Sequence, residues 1–356
     1  MNRDQPFNDL PPLPPVAEIE TTAVLKKAIA ANRRLAELKG LVNSIPNQNI
    51  LIDGIVLQEA RLSSEIENIV TTNDELYRAA ADEKLATDPH SKEILRYREA
   101  LWNGYNGLKS RPLSTNLFIE IVEVIKNTNI GIRRVPGTKI GNSKGEIIYT
   151  PPEGEAIIRN KLANLETFIH AEDLLDPLIK LALMHYQFEA IHPFTDGNGR
   201  TGRIINILFL VEKGLLNTPV LFLSRYILRN RSAYYAGLRG VTEKSAWIDW
   251  ILYMLEAVEV TAIEAQQQVI NILAAMNEAK ELVQKGAPKI YSKDLIEIIF
   301  TNPYCKVRFI EEAGLAGRQT ASTYLKTLEQ LGLLRSVKMG REHYYINDNL
   351  IKILSI

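Results

Sequence analysis

Residues 192–203 read His192-Pro193-Phe194-Thr195-Asp196-Gly197-Asn198-Gly199-Arg200-Thr201-Gly202-Arg203: one titratable base, one carboxylate, three glycines and two arginines in twelve residues. Helical periodicity runs up to this stretch over 174–191 and resumes over 200–214. Gly197, Gly199 and Gly202 let the backbone turn tightly and bring amide N–H groups against an anion, and a helix start behind them adds its dipole. Arg200 and Arg203 can each fork onto phosphate oxygens, while Asp196 supplies the hard oxygen that Mg2+ on a nucleotide takes. His192 is the one group here that accepts a proton near neutral pH. The expected chemistry is phosphate handling by a loop with its own base.

Outward from the loop the pattern is mostly helical. Apolar residues recur at helical spacing over 23–42, 50–70, 90–110, 114–127, 155–171 and 246–283. Between Gly131 and Pro152 two short β-prone runs separated by turn residues predict a hairpin. The proline-rich residues 6–15 cannot be helical and should form an extended arm, packed on the protein itself or presented to a partner. At Gly286-Ala287-Pro288 the pattern breaks. Short helical segments at 292–300, 306–314 and 317–332 and a hairpin around Gly340 then predict a winged helix-turn-helix. The expected fold class is mainly α: an N-terminal helical region (1–110), a helical core with a β-hairpin flap (111–285) and a C-terminal winged helix (287–356).

The chain of 356 residues, 46% hydrophobic and 24% charged, is long enough for two or three cored domains. Its formal net charge of zero gives no global pull toward nucleic acid or membrane. Residues 287–356 hold ten Lys and Arg against seven Asp and Glu, a modest basic surplus. Arg318, Gln319, Thr320 and Ser322 on the third helix, with Arg335, Lys338, Arg341 and His343 on the wing, suit either duplex DNA or a protein-docking surface. The lone Cys305 has no partner for an internal disulfide and reads as a packed thiol. No apolar N-terminal stretch follows Met1, and runs such as 204–211 are too short to span a bilayer, so a cytoplasmic protein without membrane contact is expected.

The twelve residues match HPFxDGNGRxxR, the signature of the Fic family, at every fixed position, and the chain resembles that family over residues 6–285. The resemblance implies transfer of AMP from ATP with Mg2+ to a Tyr, Thr or Ser hydroxyl of a target protein, the chain itself included. His192 would be the base and Asp196 the metal ligand. Gly197, Asn198 and Gly199 would cradle phosphate, Arg200 would neutralise the leaving diphosphate and Arg203 would take the terminal phosphate. Tyr234 and Tyr235 match a pair bordering the adenine in relatives, with core packing competing for at least one of them, and Thr242 stands where some relatives have asparagine. Ser63, Glu67 and Asn68, on the helix expected at 50–70, fit the family's inhibitory pattern, in which the carboxylate captures Arg203. The hairpin implies a flap for the target segment, with Ile140 and Ile147 as clamps. Removal of AMP at the same site, a DNA-bound regulator with a nucleotide-sensing core, and a homodimer stay open beside this reading. His185, two turns and about 11 Å before His192, is too far to share a metal ion and reads as a packed helix residue. Glu189 either orients the His192 imidazole or makes a helix salt bridge.

Overall fold

The computed structural model describes residues 2–45, 47–82, 88–141, 144–339 and 342–355. Five helices open the chain, α1 (Thr22–Asn43), α2 (Asn49–Ile66), α3 (Asn73–Ala81), α4 (Pro89–Gly107) and α5 (Thr115–Lys126), followed by the hairpin β1 (Ile140–Gly141) and β2 (Ile147–Tyr149). The core continues as α6 (Glu155–His170), α7 (Pro177–Ile191), α8 (Asn198–Glu212), α9 (Leu223–Arg229), α10 (Arg231–Lys244) and the long α11 (Trp247–Gly286). Several starts are set by side-chain caps. Thr21 accepts from Val24 N–H, Asp88 from Ser91, Ser114 from Leu117, and Asp176 from Leu178 just ahead of Pro177.

α7 and α8 form the centre. Nearly every residue of α7 from Leu178 to Ile191 is buried, as are Thr201 to Leu210 of α8, so both helices are buried all round rather than on one stripe. That is why 204–211 reads as a long apolar run: it is a core helix, and among the described residues no helix is long and apolar enough to cross a membrane. α1 lies along α11 on one side, and α4 with α5 closes another.

The N-terminal arm packs on its own core. Leu10 and Leu13 are buried, Gln187 donates to Pro11 O, and the Asn164 amide both donates to Leu13 O and accepts from Leu13 N–H. Opposite edges of this arm and the hairpin meet where Phe7 N–H bonds Thr150 O.

Beyond Gly286 the chain forms α12 (Lys293–Thr301), β3 (Tyr304–Cys305), α13 (Val307–Glu312), α14 (Arg318–Gln330), β4 (Arg335–Met339), β5 (Glu342–Ile346) and α15 (Asp348–Ser355). The antiparallel sheet runs β3-β5-β4, with Val337 opposite Tyr344 and Tyr304 opposite Ile346. Three helices and a hairpin follow in the order expected from the sequence, with β3 and α15 added. Gly340 and Arg341, assigned to the wing from sequence, and Asn142 and Ser143, assigned to the first hairpin, lie outside the described residues. The segment docks on the N-terminal helices. A Cβ on Gly54 would meet Leu354, Asn73 donates to Ser355 Oγ, and Lys306 pairs with Asp82. Cys305 is fully buried, and burial pushes its thiol up to about 12, so it is inert packing.

Candidate active site

α7 delivers His192 as its C-cap, in a left-handed conformation (φ 49°, ψ 60°), with its N–H on Phe188 O. A non-glycine residue there carries a small backbone cost, and the surroundings hold it in place. Arg133, 3% exposed, is the holder: its Nε donates to His192 O at 2.8 Å and its Nη2 to Pro152 O, while its own N–H bonds Pro193 O. Arg133 thus ties the base to the foot of the hairpin. Nothing in the sequence marks it for this role, which needs three carbonyls remote in sequence.

The imidazole is kept neutral. Burial first, then the Arg133 guanidinium, pull His192 down to about 4, against a smaller opposite push from Glu67. His192 Nδ1 and Glu189 Oε1 are both buried without a side-chain hydrogen-bond partner among the described residues, so the Glu189 carboxylate shows no bond that orients the imidazole, while the Glu189 backbone carbonyl faces the ring and raises His192 slightly. Burial pushes the Glu189 carboxyl up to about 7.

Gly197 (φ 82°) makes the turn into α8, and the amides of residues 198–200 stand at that helix's first turn, where no intrahelical acceptor reaches them. Asn198 does not offer its side chain to a ligand, contrary to the cradling role read from sequence. Its Oδ1 accepts from Phe194 N–H and its Nδ2 donates to Phe194 O, both at 2.8 Å, so it staples the loop and leaves only its backbone N–H outward. Asp196, its carboxylate 59% exposed, accepts from Gly197 N–H and pairs with Lys126 at 2.5 Å. Burial opposes its ionisation, but Lys126, Arg200 and Gly197 N–H together hold it below the usual carboxylate range. Arg200, 2% exposed, is gripped by Glu93 of α4.

Arg203 is also buried, and its partners are those the inhibitory pattern names. Nε donates to Ser63 Oγ at 2.7 Å, and Nη2 to Ser63 O and to Glu67 Oε1, each at 2.9 Å. The end of α2 explains how. The helix stops at Ile66 rather than at 70: Asn68 takes a left-handed φ of 62°, its N–H bonds Glu65 O, and Ile69 N–H bonds Ser64 O. This pair of reversed bonds is the Schellman stop, which wants Gly or Asn at that position. Glu67 N–H goes to Ser64 O, which leaves Ser63 O for Arg203. The carboxylate of Glu67 then hangs over the start of α8, where a Cβ added to Gly199 would lie 2.4 Å from Oε1. Burial opposes its ionisation, and Arg203 more than offsets it, so Glu67 sits low and charged.

Other sequence readings separate here. Tyr234 is 2% exposed, bonds His185 Nε2 at 2.8 Å and packs on Trp250, so it is a core residue with no face for adenine; Tyr235, 45% exposed, remains available. His185 accepts from Asn206 on its other nitrogen, and burial pulls it down to about 3, as a packed helix histidine. Thr242 is engaged by Tyr186 and Leu238 O. The hairpin forms, with Ile140 opposite Tyr149 and Gly141 opposite Ile147, and both isoleucines are half-buried. Sequence reasoning missed Glu59 on α2, buried and bonded by Ser224, whose carboxyl burial pushes up to about 7. A cavity of about 700 Å³ opens between α4 and α5, lined by Arg96, Asn103, Ile121 and Asn129 among others. It holds no histidine and no motif residue, so the chemistry described above does not lie in it.

Comparison with known proteins places this geometry. The model of the Fic/DOC family matches residues 112–210 and that of the Fic/DOC family N-terminal region matches 25–106, together just over half of the chain. A model described as protein adenylyltransferase SoFic-like, C-terminal domain, matches 275–350. A probable protein adenylyltransferase of Aquifex aeolicus is 27% identical over 296 residues, 81% of this chain and 83% of its own. A protein adenylyltransferase of Caenorhabditis briggsae is 34% identical over 92 residues, 25% of this chain but only 17% of its own length. Among solved structures, a Fic family protein from Desulfovibrio desulfuricans covers 94% of this chain and 98% of its own with a TM-score of 0.59 at 17% identity, a likeness of fold.

Proposed function

The chain belongs to the Fic/DOC family and is a nucleotidyltransferase of its protein-adenylyltransferase kind, and on that premise we propose that it transfers AMP from ATP to a hydroxyl of a target protein and is held inactive by Glu67. The observation that carries this reading is the capture of Arg203 by Ser63 and Glu67 beside an intact, neutral His192. A guanidinium held by a carboxylate cannot also hold the terminal phosphate of ATP.

In the released form the amides of residues 198–200 and Arg203 hold the phosphate chain, and Tyr235 borders the base. The target hydroxyl oxygen attacks the α-phosphorus, the bond from that phosphorus to the β-phosphate oxygen breaks, and diphosphate leaves. His192 takes the hydroxyl proton as the bond forms. Arg200 faces the charge that gathers on diphosphate. Asp196 fits a magnesium ion brought by nucleotide, since its exposed carboxylate already holds a cation at Oδ2. The ion, when bound, screens the phosphate charge. The hairpin offers strand edges for a target segment, with Ile140 and Ile147 flanking the accepting residue.

The test is label fate in Glu67→Gly protein. Label from the α-phosphate should stay on protein and label from the γ-phosphate should not; the reverse pattern would make this a phosphate transferase and sink the reading. The pH profile follows from His192. Its folded-state value lies near 4, and removing Glu67 removes a contribution that raises it. The base therefore stays deprotonated as pH falls through 6.5, and the acid limb of kcat/KM in Glu67→Gly should appear below pH 5. A limb near 6.5 would show that the imidazole is not desolvated.

A second surface supports a second reading. Arg318, Gln319, Thr320, Thr323 and Lys326 are exposed along α14, whereas Arg335 is paired with Asp348 at the surface. We propose duplex DNA as the ligand of α14. Binding should weaken steeply with salt and be lost in Arg318→Ala/Lys326→Ala; no binding at low salt removes the proposal.

A further inference from the structure

Asp196, the residue that would meet the metal, already has a cation. Its Oδ2 is 2.5 Å from Lys126 Nζ, while Oδ1 accepts from Gly197 N–H and lies 3.6 Å from Arg200. Lys126 Nζ is also 3.2 Å from Glu93 Oε1, the same oxygen that receives Arg200 Nη1. Two carboxylates and two cations thus form one closed, neutral cluster across α4, α5 and the motif loop. Arg200 Nε is buried in it without a partner among the described residues.

We propose that Lys126 is a stand-in for the divalent ion at Asp196, exchanging with it when nucleotide enters, and that Glu93 is the positioning residue that receives the displaced ammonium while keeping Arg200 aimed at the leaving phosphates. The inference rests on Asp196 as the metal ligand. Oδ1 is taken up by Gly197 N–H and faced by Arg200, so Oδ2 is the oxygen that would be left for a metal, and the Lys126 ammonium at 2.5 Å stands in its way and would repel it. The ammonium is a point charge on a flexible stem, and Glu93 is already within reach, so it can leave Asp196 without being stranded. Until then the cluster holds Asp196 and Arg200 near their working positions without the ion. Such an arrangement makes Lys126 a competitor of the metal and Glu93 the shared anchor of both cations.

Two readouts test the exchange on Glu67→Gly protein with an ATP analogue that cannot release diphosphate, and a third, with ATP itself, tests Glu93. Paramagnetic titration with Mn2+ should give a dissociation constant roughly threefold or more lower in Lys126→Met, the scale of losing one partly exposed ion pair. Lys126→Arg, which keeps the charge, should stay near the parent. Nitrogen-detected spectra of the lysine ammonium groups should show a protected Lys126 signal that persists with analogue alone and changes on adding Mg2+. Metal binding that is lost in Asp196→Ala yet indifferent to Lys126→Met, with the ammonium signal unmoved, overturns the exchange and leaves the donor site standing. Metal binding indifferent to Asp196→Ala overturns both. Glu93→Gln should lower kcat more than it raises KM for ATP, as a misaimed Arg200 would; an effect on folding alone would lower the melting temperature and leave that ratio unchanged.

Discussion

Glu67→Gly should adenylylate itself or an added target roughly ten- to a hundredfold faster than the parent protein, read as adenylyl mass gained per hour with Mg2+ and ATP. The estimate follows from the contact removed: a charge-assisted bond is worth about 1.5–3 kcal/mol, and each 1.4 kcal/mol is a factor of ten. Removing the carboxylate does not set Arg203 loose. Its Nε stays on Ser63 Oγ and its Nη2 on Ser63 O, so the guanidinium remains at the head of α8 with one face now open to phosphate. Glycine is tolerated at this place, since Glu67 already lies outside the helix as its cap, at φ −90° and ψ 14°. The Schellman stop at Asn68 does not use the Glu67 side chain, so α2 should keep its end. Ser63→Ala should act more weakly, because it removes one neutral acceptor and leaves the carboxylate in position. Equal rates for parent and Glu67→Gly would mean that Glu67 does not control access to Arg203.

How much of this was legible in the sequence depended on whether the signal was local. The motif loop was, because its residues act within one turn: Gly197 must bend, and His192 and Asp196 sit at its two ends. Helix centres were legible from periodicity, and α2 through the pattern of Ser63 and Glu67. The stop of α2 four residues early was readable in principle, since Asn68 is a residue suited to a left-handed cap, but the apolar Ile69 and Val70 carried the pattern past it. The short α3 and α9 gave too few residues for a period to register. Glu93, Lys126 and Arg133 were invisible for a different reason. Each sits on an ordinary stretch and acquires its role only when α4, α5 or the hairpin foot is folded against the loop. Neighbouring tyrosines could not be told apart by type, and burial alone assigns Tyr234 to the core and leaves Tyr235 at the surface.

In the Glu67→Gly protein, His192→Asn should cost roughly two to four orders of magnitude in the rate of AMP transfer, the range expected for losing a general base. Asparagine is the sharper test than alanine because position 192 has a left-handed backbone, which asparagine tolerates and alanine does not. The anchor of the loop should survive, since Arg133 grips the carbonyl of residue 192 and not its ring. An unchanged melting temperature would verify this. ATP affinity should also hold, because the phosphate contacts assigned here come from the first turn of α8 and from Arg203, and the ring contributes to neither. A fall in kcat with constant ATP affinity then isolates the proton transfer. Should ATP affinity fall in step with the rate, His192 would be a binding group. Should the rate hold, the proton would have to leave by another route, for which Glu189 is a candidate: its carboxyl is pushed up to about 7 by burial and its Oε1 lacks a partner among the described residues. A Glu189→Gln variant separates the two, since it should leave the rate unchanged if His192 is the base and abolish the residual rate if it is not.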